Sequence, residues 1–330
     1  MKVKVCPGTL QGGYTSYSPK CLKSMFSGKK VDHILPYPSP GKNDDTTEAF
    51  IENRKRISIS GVQEKMSLLL DGNVLRLTQK EEQGDYILKP IPRDLLRVSE
   101  VPANEHLTMQ IAEQVYGIEV AKNAMIFFED DEPAYLTNRF DVQADKSKKS
   151  VEDFATLAGK SNVKGGSNFK YDYSYEEIGE LIRKYIPAWR VEMEKFYQVV
   201  LFNYLFSNGD AHLKNFSVIE TTRGDFKLSP MYDLINTRLH VKDTDFALSK
   251  GLFKDEFKSD RYQGTGSPGK ADFMAFGKRL GIRETRVDKI FGAFAHPKEE
   301  VPILVRNSFL SGKSKRGYLQ MYRTKLNKLV

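Results

Sequence analysis

The polar residues of the segment NYLFSNGDAHLKNFSV, Asp210, His212, Lys214 and Asn215, directly follow an apolar run. A second aspartate, Asp233, follows in SPMYDLIN. Between Asn215 and Asp233, the runs FSVIE and FKLSP predict a β-hairpin, which would return Asp233 to the side of Asn215. Such a set could accept a proton from a hydroxyl group and hold a divalent cation.

The spacing of Asp210 and Asn215, D-x-x-x-x-N, is that of the protein-kinase catalytic loop, where the Asp takes the hydroxyl proton and the Asn binds metal. Mg²⁺ prefers one or two carboxylates together with phosphate oxygens and water, which Asp233 and Asn215 would supply. The pattern therefore favours phosphoryl transfer. Two alternatives stay open: Asp210 caps a helix or turn, or Asp210 and Asp233 act together as a hydrolytic carboxylate pair.

Two upstream segments could handle the phosphates. Lys89 ends the short apolar run YILKP, and a lysine on an N-terminal strand is the usual phosphate partner in kinases. Glu105, at the start of a predicted helix, could pair with it, although a glutamate there also suits the helix dipole. The stretch SISGVQEK, residues 58–65, is the candidate phosphate loop, although its single glycine matches no common phosphate-binding motif.

A third segment, LTNRFD, residues 136–141, could offer backbone groups to adenine.

The pattern changes along the chain from strands to helices. MSLLL and VLRLT flank DG, which predicts a hairpin, and NEHLTMQIAEQVYG has helical spacing. AMIFFEDDEPAYLTNRFDV predicts two strands around an acidic turn, and helical periods dominate after the polar connector 141–150. We therefore predict an α+β fold with a leader (1–50), a β-rich N-lobe (51–142) and a helical C-lobe (143–330).

Composition limits the class of protein. The chain has 330 residues, 40% hydrophobic and 28% charged, as expected of a globular protein. No apolar run approaches the roughly 20 residues of a membrane helix, and the start, MKVKVCPGTL, has no apolar signal segment, so we expect a cytoplasmic protein without a membrane partner. Cys6 and Cys21, even with His33, are too few for tetrahedral zinc, which favours ordinary thiols.

The charge balance leaves a different class of function open. Lys and Arg number 51 against 43 Asp and Glu, and residues 305–330 hold seven of these basic residues and no acidic one. A basic end of this kind is compatible with a DNA-bound repressor subunit whose kinase site is inactive or incidental. Affinity for duplex DNA that falls steeply with salt would distinguish that alternative from a kinase.

Several blocks together resemble a known family. In order, they are SGVQEKMSLLL, YILKP, NEHLTMQIA, NRFDV, EDFATLAGK, NGDAHLKNFSV and SPMYDLINT. Over about residues 54–330 they resemble the HipA-family serine/threonine kinase toxins, most of all the shorter HipT branch of three-gene HipBST systems. The resemblance implies a two-lobed, protein-kinase-like fold and an enzyme that uses ATP and Mg²⁺.

The resemblance also implies roles for individual residues. Asp210 matches the catalytic aspartate, Asn215 and Asp233 match the metal ligands, and Ser58 and Ser60 match serines that are autophosphorylated. The positions that match ATP-binding residues are Ser60, Gly61, Val62, Gln63, Glu64, Lys65, Lys89, Asn138, Phe140 and His212. Asn138 stands where the best-known relative has Glu, which matters little if the contact to adenine is through the backbone.

The family's partners are expected here by the same resemblance. They comprise an aminoacyl-tRNA synthetase as substrate, with the tryptophanyl enzyme favoured, and an antitoxin that carries a helix-turn-helix and mediates contact with DNA. Only about 50 residues precede the phosphate loop, fewer than in full-length HipA, so a small HipS-like protein could supply the missing part. Ser18 stands where split relatives carry histidine in this leader.

Overall fold

The computed structural model describes residues 1–40, 64–92, 98–166 and 168–330. The chain divides into two compact units. Unit 1 comprises Met1–Ile111, Ala121–Ser147 and Glu300–Lys315, and unit 2 comprises Ala112–Val120, Lys148–Glu299 and Arg316–Val330. The leader, N-lobe and C-lobe bounds derived from the sequence stay a prediction.

The described part of unit 1 contains a five-stranded antiparallel sheet in the order β2-β1-β3-β5-β4. Its strands are β1 (Met66–Asp71), β2 (Val74–Leu77), β3 (Tyr86–Lys89), β4 (Asn123–Phe127) and β5 (Pro133–Asn138). The predicted hairpin is confirmed, since Asp71 pairs with Val74 across a two-residue loop. Gly72 opens that loop with φ +60°, a conformation that glycine adopts at little cost. The two strands around the acidic turn are confirmed as β4 and β5.

The leader packs onto this sheet. Helix α1 (Pro19–Phe26) begins at Ser18, whose side chain accepts a hydrogen bond from the backbone of Cys21, and ends at Ser27 in the left-handed region. The leader covers the edge of β4 through backbone hydrogen bonds: Met125 donates to the Pro7 carbonyl at 2.9 Å and Leu35 donates to that of Phe127 at 2.7 Å. The apolar side chains it buries against the sheet include Cys6, Tyr17, Met25, Phe26 and Leu35. Cys6 and Cys21 are buried free cysteines.

The predicted helix after β3 is confirmed as α2 (Val101–Gln114). Unit 1 also contains α10 (Glu300–Asn307), and α11 (Gly312–Leu329) begins within it. Asn307 of α10 donates its side-chain amide to the Leu10 carbonyl at 2.9 Å. Helix α10 therefore contacts the leader although the two segments are far apart along the chain.

Unit 2 is mainly helical. Its helices are α3 (Phe154–Leu157), α4 (Asn162–Gly165), α5 (Tyr175–Tyr185), α6 (Trp189–Leu205), α7 (Asp260–Thr265), α8 (Lys270–Arg279), α9 (Glu284–Ala295) and the larger part of α11. Helix α5 begins with a capping box, in which Ser174 and Glu177 each bond the other's backbone N–H at 3.2 Å and 2.8 Å. Such a box satisfies two N–H groups that otherwise have no partner in the helix. Helix α6 is buried along most of its length and forms the centre of this unit.

The described part of unit 2 also contains a three-stranded sheet, whose strands follow the order β6-β7-β8. Its strands are β6 (Val151–Asp153), β7 (Ser217–Glu220) and β8 (Phe226–Leu228). The predicted hairpin between Asn215 and Asp233 is confirmed, because Val218 pairs with Leu228 and Glu220 with Phe226. The mixture of a sheet and helices confirms the α+β class. No helix among the described residues is both long and apolar enough to cross a bilayer.

Candidate active site

The loop that carries Asp210 leaves the end of the buried helix α6. Ser207 adopts φ +56°, which turns the chain away from the helix axis. The turn is held by Asn208, whose side-chain amide donates to Asn203 at 2.9 Å, and by Thr237, whose hydroxyl accepts from Gly209 N–H at 2.9 Å. A rigid helix and buried amide contacts therefore fix the start of the candidate catalytic loop.

Gly209 permits a close approach that a larger residue would block. A β-carbon at this position would lie 2.4 Å from the carboxylate of Asp243. The absence of a side chain therefore lets the Asp243 carboxylate pack directly against the backbone that precedes Asp210. Asp243 had no role in the sequence analysis.

Asp210 presents a half-exposed carboxylate, with 51% of its side chain accessible. Its Oδ1 accepts a hydrogen bond from the Tyr171 hydroxyl at 2.8 Å. Partial desolvation raises the pKa of Asp210, and the nearby carboxylates of Asp243 and Asp233 act in the same direction, whereas Tyr171 and Lys170 oppose the shift. A raised pKa brings the carboxylate closer to the range of an efficient general base.

His212 lies close to Asp210 as a buried, neutral imidazole. Burial, followed by the charge of Lys170, lowers the pKa of His212 to about 4. Its Nε2 is 3.9 Å from Oδ1 of Asp210, and its ring meets that of Tyr171 edge-on at 5.2 Å. The Nδ1 atom is buried and has no hydrogen-bond partner in the described part of the chain. His212 therefore has one buried polar atom whose hydrogen-bonding capacity no described protein group uses.

Asn215 and Asp233 meet, as the hairpin predicted. Asn215 closes a 3-10 turn (Leu213–Asn215), and its side-chain amide donates to Oδ2 of Asp233 at 3.3 Å, although the residues are 18 positions apart. Asp233 has φ +56°, a left-handed conformation that is uncommon outside glycine. The Tyr232 hydroxyl donates to the Lys214 carbonyl at 3.0 Å and ties the two segments together. The Asn215 amide nitrogen thus lies against the Asp233 carboxylate, while Oδ1 of Asn215 accepts a hydrogen bond from His212 N–H at 3.2 Å.

Lys89 and Glu105 form a buried ion pair within unit 1, as the sequence suggested. The Lys89 ammonium lies 2.6 Å from Oε1 of Glu105, and the side chains are only 5% and 3% exposed. The ammonium also lies 5.3 Å from the centre of the Tyr135 ring. Strand β3 and helix α2 thus hold two opposite charges in the arrangement that kinases use to place their phosphate lysine.

Asn138 lies in the segment proposed to hold adenine, and the two polar atoms of its side chain differ in their hydrogen bonding. The side-chain amide of Asn138 donates to the Met25 carbonyl of α1 at 3.2 Å, and its backbone N–H donates to the Lys122 carbonyl at 2.8 Å. Its Oδ1 is buried without a hydrogen-bond partner among the described residues. Phe140 is half-buried.

Most of the candidate phosphate loop lies outside the described residues, namely Ser58, Ser60, Gly61, Val62 and Gln63. Glu64 and Lys65 are described and half-buried, directly before β1. The phosphate-binding and autophosphorylation roles therefore stay predictions.

The sequence analysis missed Tyr171, which contacts Asp210 although the two residues are 39 positions apart. It belongs to FKYDYSYEE, where only the capping box of the following helix gives a pattern. No spacing rule links a tyrosine in such a segment to a distant carboxylate, so only the folded chain identifies it.

A known protein family matches the part of the chain that carries these residues. The sequence profile of the HipA-like C-terminal domain matches residues 57–300, which is most of the chain. This chain belongs to the HipA-like family. The match spans both segments that carry candidate residues, from the phosphate loop to the helices after Asp233.

HipA-like relatives differ in how much of their length this chain covers. A Haemophilus influenzae protein named "Putative kinase" is 28% identical over 94% of this chain and 92% of its own. The serine/threonine-protein kinase toxin HipA of Shewanella oneidensis is 26% identical over 62% of this chain and 48% of its own. The chain thus spans nearly all of the first relative but about half of the second.

Solved structures show the same fold. HipA of Shewanella oneidensis, from a complex with HipB and operator DNA, aligns with a TM-score of 0.60 at 21% identity, covering 82% of this chain and 63% of its own. The Helicobacter pylori proinflammatory kinase CtkA aligns with a TM-score of 0.51 at 13% identity, covering 77% and 90%. The HipA-like chain therefore has the kinase-like α+β fold predicted from its sequence.

Proposed function

We propose that this HipA-like chain is an ATP-dependent serine/threonine protein kinase that acts as a toxin. The observation that carries the proposal is the hairpin contact between Asn215 and Asp233 at 3.3 Å, on the segment that begins at Asp210. A D-x-x-x-x-N loop with a second aspartate returned to its Asn is the set that kinases use for base and metal. The kinase names of the relatives support the same activity.

In this proposal, Asp210 accepts the proton of a substrate serine or threonine hydroxyl. Its Oδ1 accepts a hydrogen bond from the Tyr171 hydroxyl at 2.8 Å. Asn215 and Asp233 would hold Mg²⁺, and Lys89, held by Glu105, would neutralise the ATP phosphates. Kinases need little covalent chemistry from the protein, so the role of these side chains is to position charge.

The residues fit Mg-ATP in two respects. The buried Asn138 Oδ1 and His212 Nδ1 each lack a hydrogen-bond partner in the described part of the chain, which is costly unless a ligand or water supplies one. The described residues contain no cluster of three or more His, Cys, Asp or Glu that could hold a metal alone. One carboxylate and one amide suit Mg²⁺, which takes its other ligands from phosphate and water. Bound Mg-ATP would supply the phosphoryl group.

Autophosphorylation gives the direct test of kinase activity. We expect the wild-type chain, incubated with Mg-ATP, to gain phosphate at Ser58 or Ser60. The variant with Ser58→Ala and Ser60→Ala should gain none there. Intact-mass measurement followed by peptide mapping decides the outcome, and Asp210→Asn is the matched inactive control.

The same labelling tests regulation. A phosphoserine adds about −1.5 to −2 charges at neutral pH, so Asp at both positions should weaken ATP binding if the loop approaches the triphosphate. A wild-type chain that phosphorylates host proteins yet gains no phosphate at residues 58–60 would contradict self-regulation alone. Absence of all phosphotransfer would contradict the kinase proposal itself.

Removal of the metal ligands should weaken ATP binding only when Mg²⁺ is present. We expect Asp233→Asn to lower Mg-ATP affinity by roughly 10-fold or more, because a carboxylate ligand of a metal is lost. Isothermal titration with Mg²⁺ and with EDTA measures the difference. Asp225→Asn, on the turn of the same hairpin, is the control and should behave as wild type. If the variant and wild type show the same dependence on Mg²⁺, Asp233 is not a metal ligand.

The partners of the family extend the proposal. We propose that the substrate is an aminoacyl-tRNA synthetase, with the tryptophanyl enzyme favoured, and that a helix-turn-helix antitoxin neutralises the toxin and carries it to DNA. The Shewanella HipA structure, which contains HipB and operator DNA, supports an antitoxin and DNA as partners. Phosphopeptide mapping of a host extract treated with the chain and Mg-ATP would identify the substrate, and a HipS-like protein would appear on affinity purification.

A further inference from the structure

The segment Asn168–Tyr173 lies directly against the candidate catalytic loop. The Lys170 carbonyl accepts a hydrogen bond from Leu213 N–H at 3.1 Å, and the Tyr171 carbonyl accepts one from Ser249 N–H at 2.8 Å. Both bonds are between backbone atoms, so they hold the segment in place whatever its side chains are. The segment is therefore a fixed support from which Tyr171 reaches Asp210.

The Tyr171 side chain is constrained on its ring as well as at its hydroxyl. Its ring packs edge-on against the His212 ring, and the Lys170 ammonium lies 5.0 Å from its centre. Burial, followed by the charge of Asp210, raises the pKa of the Tyr171 hydroxyl. The group therefore stays protonated near neutral pH and can act only as a donor towards Oδ1 of Asp210.

The hydrogen bond from Tyr171 gives the two carboxylate oxygens of Asp210 different surroundings. Oδ1 is bonded to Tyr171 at 2.8 Å, whereas no protein group among the described residues donates to Oδ2. A carboxylate held at one oxygen loses its freedom to rotate and presents the other in a single direction. A general base gains from such fixed geometry, because proton transfer needs the acceptor within hydrogen-bond reach of the hydroxyl.

We infer that Tyr171 is a positioning residue for phosphoryl transfer, which holds Asp210 through Oδ1 so that Oδ2 receives the proton of the substrate hydroxyl. The inference rests on the proposed kinase function. In this step the hydroxyl proton would move to Oδ2 of Asp210 and the hydroxyl oxygen would bond to the γ-phosphorus of ATP. The bond between that phosphorus and the bridging oxygen would break, and ADP would leave. Tyr171 keeps its own proton throughout.

The charged groups around Asp210 set its pKa, and the Tyr171 hydroxyl is one of the groups that influence it. Lys170 favours the ionised carboxylate, Asp243 and Asp233 disfavour it, and Nε2 of the neutral His212 ring lies 3.9 Å from Oδ1. The Tyr171 bond favours the ionised form, because it donates to the charged oxygen. Its loss should therefore raise the pKa of Asp210 further and move the acidic limb of the activity profile to higher pH.

The test is Tyr171→Phe, which removes only the hydroxyl group. We expect kcat to fall by about 10- to 100-fold at neutral pH, as for the loss of a hydrogen bond to a charged group. The KM for Mg-ATP should stay within about two-fold, since Tyr171 contacts the base and not the metal ligands. The acidic limb of the pH profile should move up by about one pH unit.

Tyr173→Phe is the matched control. Tyr173 lies on the same segment and its ring faces Lys160 at 5.8 Å. The control should keep wild-type kcat and the wild-type pH profile. A second variant keeps the bond: 3-fluorotyrosine at position 171 is a stronger donor, so it should preserve kcat and move the acidic limb to lower pH.

A readout that does not need activity separates this inference from the kinase proposal. Carboxyl-carbon NMR titration of Asp210, assigned by the signal lost in Asp210→Asn, should show a higher pKa in Tyr171→Phe than in wild type. An unchanged pKa and pH profile, with or without a fall in kcat, would overturn the positioning role, and so would an equal shift in Tyr173→Phe. If wild type shows no phosphotransfer but the pKa shift is observed, the kinase proposal fails while the Tyr171–Asp210 coupling stands.

Discussion

Replacing Asp210 by Asn should reduce phosphotransfer by about 10²- to 10⁴-fold, the contribution that a positioned general base usually makes. The amide has nearly the same shape as the carboxylate but cannot accept the hydroxyl proton. It can still accept the Tyr171 hydrogen bond at 2.8 Å, so the fold should be preserved. Transfer from radiolabelled ATP to a serine substrate, under saturating Mg-ATP, measures the effect.

A control variant and the pH dependence of the wild type both test whether the loss of activity in Asp210→Asn is due to the loss of the base. Asp172→Asn removes a neighbouring surface carboxylate, which pairs with Lys160 at 2.7 Å, and should leave the rate unchanged. The raised pKa of Asp210 means that wild-type activity should fall as the pH drops through that value, because the protonated carboxyl cannot act as a base. Near-normal turnover by Asp210→Asn would rule out its role as the base.

Replacing Lys89 by Met should destabilise the chain by about 3–5 kcal/mol, because it removes the ammonium that lies 2.6 Å from the buried Glu105 carboxylate. The two side chains are 5% and 3% exposed, so water cannot replace the lost partner. The midpoint of urea unfolding should fall accordingly, monitored by tryptophan fluorescence and by far-UV circular dichroism. ATP affinity should fall in the same variant if Lys89 neutralises the phosphates.

A double-mutant cycle separates the buried pair from a general packing defect. Lys89→Met with Glu105→Gln removes both charges, and we expect it to be more stable than Lys89→Met alone. Lys254→Met is a matched control, since Lys254 pairs with Glu180 at 2.6 Å and both side chains are 51% exposed, and it should leave the midpoint of urea unfolding close to that of wild type. Purely additive effects of the Lys89 and Glu105 substitutions would show that the two charges are not coupled.

Local patterns predicted the elements that carry the site. Alternating apolar residues around a turn predicted the hairpin between β7 and β8, and with it the contact between Asn215 and Asp233. Helical spacing predicted α2, which brings Glu105 to Lys89. These predictions held because each depends on residues that are close in sequence, where periodicity and turn residues restrict the backbone.

The contacts around the candidate site residues depend on the tertiary structure. Tyr171 reaches Asp210, the Asp243 carboxylate packs on Gly209, and the leader contributes the Met25 carbonyl to Asn138. Each contact joins segments that are far apart along the chain, and no local pattern encodes it.

Residue types and spacing thus determined by themselves the fold class and the proposed base and metal ligands of this HipA-like chain. Tertiary structure alone determined the direction of the Asp210 pKa shift, the burial of the Lys89–Glu105 pair and the left-handed backbone of Asp233. The physical reason is that desolvation and long-range charge depend on which distant groups surround an atom. Those neighbours are set by packing of the whole unit, whereas helices and hairpins follow from a few consecutive residues.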